Sequence, residues 1–198
     1  IYMVDNKRFY AGGGSDLAIY HDATNSYIEN ATGDLYIRNN ADDEAIIFQC
    51  DDGSGGVETY FQLEGVSGGA SPFTVFPDSS TLAFGSGHDL RILHNGSSSL
   101  FENYVGDLVF TQNTDDGDII FKSDDGSGGV EQYFRLDGGI DSSHPYTIWP
   151  DNSKVALGDS ADMLIEHNGT NSLITNQTGN LIIDSAADDA DIIFKGTD

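Results

Sequence analysis

DDGSGGVETYFQLEG, residues 51–65, returns as DDGSGGVEQYFRLDG at 124–138, an offset of 124 − 51 = 73 residues. The same offset holds on both sides of this stretch. SDLAIYHDATNS at 15–26 returns as HDLRILHNGSSS at 88–99 and as ADMLIEHNGTNS at 161–172. GDLYI at 33–37 becomes GDLVF and then GNLII, AIIF at 45–48 becomes DIIF twice, and SPFTVFPDSSTLAFG at 71–85 becomes HPYTIWPDNSKVALG. No gap is needed. The chain divides into the end of one repeat (1–12), two whole repeats (13–85 and 86–158) and part of another (159–198), so it reads as a window on a longer array. A period of this kind fixes the class of architecture before any local reading.

Within a repeat, short apolar or β-branched runs alternate with Gly/Asn/Asp/Ser clusters. In the first copy they are 17–20, then 27–29, 35–37, 46–48, 59–63, 73–76 and 81–84, seven β-type segments about ten residues apart. That spacing predicts an all-β chain. No window carries a helical apolar period, and no apolar run is long enough to cross a membrane as a helix. Gly33, Gly106 and Gly179, each before Asp or Asn, predict turns with positive φ. Ile19, Ile92 and Ile165 are identical across copies, as are Leu35, Leu108 and Leu181, which predicts a buried stripe. Position 18 changes from Ala to Arg91 and Leu164, which predicts a solvent face. Tyr36, Val109 and Ile182 stay apolar between apolar neighbours, which predicts a strand covered on both sides.

The charge balance, 33 acidic against 8 basic residues for a net −25, argues against nucleic acid and anionic membrane surfaces as partners. Cys50 stands where the next copy has Ser123, so no disulfide framework is expected. Strands this short bury little each. They need a second apolar surface, supplied either by stacking along one chain, as in a single-chain β-solenoid, or by identical chains intertwined about an axis.

The ordered set DLxIxHxGxxSxIxNxTGxLxI…DDxDIIFxSDDGSGGxxxYFRLDG resembles the repeat of tail-fibre and other virion structural proteins of tailed bacteriophages, especially those of marine cyanobacteria. It is clearest at 89–99, 106–110 and 118–138 and spans essentially the whole chain. The resemblance implies a homotrimeric, β-rich fibre shaft in the virion tail, or outside the cell, that supports host attachment. It implies other virion tail proteins as partners, and a host surface receptor met by a region outside this chain. The first copy departs from the pattern at Gln49-Cys50, where the second has Lys122-Ser123. A carbohydrate-binding or depolymerising tail spike and a bacterial surface adhesin are the alternatives.

Asp51 and Asp52, repeated as Asp124 and Asp125, are the positions that invite calcium. Calcium takes six to eight oxygens from alternating Asp/Asn with a distal Glu, and DDGSGG lacks that alternation, so turn formation is the first reading and no metal or other cofactor is assigned. Adjacent carboxylates in a strand point to opposite faces, unlike the facing pair of a glycosidase. The chain is therefore expected not to be an enzyme, and no catalytic residue is assigned. His21, His94 and His167 recur once per repeat; each is read as a strand-end histidine bonded to a turn carbonyl, with a ring of three around a trimer axis as the metal-binding alternative. The sequons at Asn30, Asn95, Asn168 and Asn176 are read as turn composition, and Trp149, opposite Phe76 in the alignment of copies, as a packed aromatic.

Overall fold

A computed structural model describes residues 2–65, 71–141 and 143–196. Among them the chain is all-β, with no helix, built from small antiparallel three-stranded sheets. Two units are distinguished, 1–108 and 109–198.

The first unit holds three sheets. In the first, β1 (Arg8–Ala11), β2 (Leu17–His21) and β3 (Ser26–Asn30) form a meander in which Phe9, Ile19 and Ile28 stand side by side. The second contains β4 (Ile46–Asp51), β5 (Val57–Glu64) and β6 (Phe73–Val75), with a bulge between Phe48 and Gln49. The third contains β7 (Leu82–Phe84), β8 (Leu90–His94) and β9 (Ser99–Asn103). The second unit holds β10 (Ile119–Asp124), β11 (Val130–Asp137) and β12 (Tyr146–Ile148), with the bulge now between Phe121 and Lys122. Its other sheet is β13 (Lys154–Leu157), β14 (Met163–His167) and β15 (Ser172–Asn176). Ile46 pairs with Leu63 and Ile119 with Leu136, an equal displacement of 119 − 46 = 73 on each strand.

The turns follow from backbone chemistry. Gly33, Gly106 and Gly179 adopt φ of 66°, 72° and 70°, as their sequence context predicts. Before β2, β8 and β14 a glycine at φ 92°, 82° or 87° (Gly12, Gly85, Gly158) lies against the carboxylate of Asp16, Asp89 or Asp162, where a Cβ would collide with it. The carbonyl of each Asp then accepts the N–H of Ala31, Tyr104 or Gln177 at 2.7 Å. The loop before each hairpin is thereby tied to the loop after it.

Three sequence expectations need correction. Residues 35–37, 108–110 and 181–183 form no strand and belong to none of the sheets among the described residues. Six strands, not seven, therefore fall among the described residues of 13–85. The predicted buried stripe is not covered by the chain: Ile19, Ile92 and Ile165 remain 42%, 39% and 42% exposed. Ala18, predicted to face solvent, is the one buried apolar residue among those described. It sits between Tyr10 and Glu29, its partners on the neighbouring strands.

Candidate assembly surface

The DDGSGG hairpins use their aspartates internally. Asp51 accepts the N–H of Gly53 at 2.7 Å, and Asp52 accepts the N–H and the hydroxyl of Ser54 at 2.8 and 2.7 Å. Asp125 does the same with Ser127, at 2.8 Å from N–H and 2.6 Å from hydroxyl. Glycines at φ 83° and 101° close the first turn, and at 83° and 96° the second. The serine hydroxyl, with the serine N–H second, holds the carboxyls of Asp52 and Asp125 below the ordinary carboxylate range. Tyr60 and Tyr133 donate their hydroxyls to the carbonyls of Asp51 and Asp124 at 3.1 and 3.0 Å, bracing the hairpin from the strand side. Asp52 and Asp125 also line open grooves, with Glu58 and Asp78 in the first and Glu131 and Asp151 in the second. No three His, Cys, Asp or Glu side chains converge to hold a metal ion among the described residues.

The recurrent histidines bond side chains rather than the predicted turn carbonyl. His21 and His167 meet the hydroxyls of Ser26 and Ser172 at 3.1 and 3.2 Å, and His94 meets Asp78 at 2.9 Å. Ser26 and Ser172 stand directly opposite these histidines on the neighbouring strand; His94, opposite Ser99, instead meets Asp78 and accepts the N–H of Gly96 at 3.2 Å. The sequon asparagines are turn residues. Asn30 and Asn176 donate to the carbonyls of Gly33 and Gly179, at 2.8 and 3.0 Å, while Asn95 and Asn168 cap the N–H groups two and three residues on. Trp149 stacks on Phe134 at 5.6 Å, and Phe134 on Phe121 at 4.5 Å; Phe76, Phe61 and Phe48 form the matching column.

The larger feature is a division of faces. Directly paired residues share a face and strand neighbours alternate, so each meander has two sides. On one side of β1–β3 lie Arg8, Tyr20, Tyr27 and Glu29; Arg8 pairs with Glu29 at 2.9 Å and stacks on Tyr20 at 3.8 Å. The same side of β13–β15 holds Lys154 paired with Glu166 at 3.2 Å, and that of β7–β9 holds Arg91, which lies over Tyr104 at 4.7 Å. The opposite sides carry no carboxylate, lysine or arginine in any strand of these three sheets. Their central rungs are Phe9-Ile19-Ile28, Leu82-Ile92-Phe101 and Val155-Ile165-Ile174. An open groove of about 400 Å³ follows the second of these rungs, and one of about 590 Å³ borders Ile19 and Ile28 of the first, with Lys7 in its lining.

Side chains of these faces stay exposed, Ile28 at 62% and Ile174 at 61%. Sequence reasoning identified the stripe residues from their recurrence. It had no signal for the ion pairs of the other face, because a pair such as Arg8–Glu29 is far apart in sequence and belongs to one copy only. Comparison with family models, with curated proteins and with solved structures finds no match for this chain.

Proposed function

We propose that this chain is a shaft segment of a fibre, of the kind carried in a phage tail or on another extracellular appendage. In this reading three copies assemble about a common axis, and the protein has a structural role in host attachment rather than an enzymatic one. The observation that carries the reading is the set of uncharged apolar faces, left open at equivalent sequence positions of a chain whose net charge is −25. Like-charged copies can approach only where carboxylates are absent, and each of the three sheets has one such side. The equal displacement of paired strands supports the repeat, since copies in register then bring like rungs together at each level. Turn-bound aspartates and side-chain-bonded histidines leave the recurring polar residues with local structural duties.

The test is the mass of the protein in solution. Light scattering at micromolar concentration is expected to give three times 21.2 kDa, with apparent stability rising with concentration. A stable, well-folded single chain would refute the reading and leave the single-chain solenoid. The aromatic columns ending in Phe76 and Trp149 are the feature that a sugar-binding spike would use, and a glycan-binding screen of the assembled protein separates the two; the shaft is expected to retain none.

A further inference from the structure

We propose that residues 35–37 and 181–183, and by the same sequence pattern 108–110, are strands that each copy lends to a neighbouring copy. This rests on the assembly of identical chains proposed above. Two independent features of these segments carry it. The first is backbone: among the described residues no backbone–backbone hydrogen bond reaches 35–37 or 181–183, although both run without a turn after the positive-φ Gly33 or Gly179. Backbone donors and acceptors in a folded protein are nearly always satisfied, by water or by a partner, and an open extended edge is the usual template for strand addition.

The second feature is composition. Leu35-Tyr36-Ile37 and Leu181-Ile182-Ile183 are apolar at three successive positions, so both sides of each segment are apolar, and Tyr36 and Ile182 are 75% and 78% exposed. A strand wet on one side alternates, whereas an unbroken apolar run marks a strand covered on both. Among the described residues the chain leaves both sides largely exposed, with the Arg38 guanidinium 6.0 Å from the Tyr36 ring. An occupant for these segments must therefore offer both an apolar layer and a free strand edge. A second copy has both, in the uncharged faces of its meanders and in its own unpaired segments. A basic partner would instead seek the carboxylates that dominate the rest of the surface.

Amide hydrogen exchange on the assembled full chain, run beside a mass measurement, tests this. The amides of residues 35–37 and 181–183 are expected to exchange at least about a hundredfold slower than an unstructured peptide. Tyr36→Pro, which removes one donor and adds no charge, is expected to restore fast exchange at Leu35 and Ile37. A multi-chain mass with fast exchange at these amides, or protection unchanged by Tyr36→Pro, overturns strand lending and leaves the fibre reading standing. A single-chain mass overturns both.

Discussion

Replacing Ile92 by aspartate distinguishes a covered face from an open one by magnitude. Ile92 lies on the central rung of the uncharged side of β7–β9, between Leu82 and Phe101, and is 39% exposed in the single chain. Full burial of an isoleucine side chain contributes about 1.5–3 kcal/mol. If the chain acts alone, three-fifths of that is already realised, and Ile92→Asp costs about 1–2 kcal/mol, with the carboxylate turning to water. If three copies meet through this face, three carboxylates are desolvated at one level. At several kcal/mol each, the penalty is about 10 kcal/mol, comparable to the whole stability of a domain. Guanidinium unfolding and light scattering are read together. The variant is expected to lose assembly and folding in one step. Ala83→Asp, exposed on the opposite face beside Arg91, is expected to stay within about 0.5 kcal/mol of the parent. An Ile92→Asp chain of parental mass with a loss near 1 kcal/mol would refute the idea that this face is covered.

Gly85→Ala places a Cβ against the Asp89 carboxylate at φ 82°, and should lower stability by about 1–3 kcal/mol; thermal unfolding checks it, with Gly56→Ala, in open space and without positive φ, as the mild comparison. The Asp125 carboxyl, held low by Ser127, adds stability that is present above its unfolded pKa and lost as pH falls through its folded one. Carboxyl NMR titration should find its midpoint below the ordinary aspartate value and raised toward it in Ser127→Ala; equal midpoints would remove the hydroxyl as the cause. Because the net charge of −25 repels itself, melting temperature should rise with sodium chloride from low ionic strength. No further saturable gain is expected from calcium, and one that Asp124→Ala with Asp125→Ala abolished would restore those residues as a calcium site.

Local chemistry was legible in the sequence and mutual arrangement was not. Gly33 before Asp34, or DDGSGG between two apolar runs, sets its own φ angles and hydrogen bonds within a few residues, so the turns and strands could be read directly. Residues 35–37 read as a strand because their pattern is that of one, yet pairing needs a neighbour that the pattern does not supply. Position 18 misled for a different reason. Variation from Ala18 to Arg91 looked like solvent exposure, but a guanidinium on a long stem can lie along a sheet and reach Tyr104, while alanine in the same place is buried. The bulge after Phe48 was invisible because one extra residue leaves composition unchanged while shifting which side chains share a face.

In each described sheet, every strand pairs only with the strand next to it in sequence. That wiring bears on how the protein reaches its native state. Loop closures are short, so the contacts within a sheet are sequence-local and of the kind that forms fastest, with single hairpins closing in microseconds. A nascent chain can close each meander as soon as its third strand leaves the ribosome, without waiting for distant segments. Under the assembly proposed, the slow event is then the meeting of chains whose sheets have already formed. Misassembly would arise from copies engaging one period out of step, since each level offers nearly the same rung as the next.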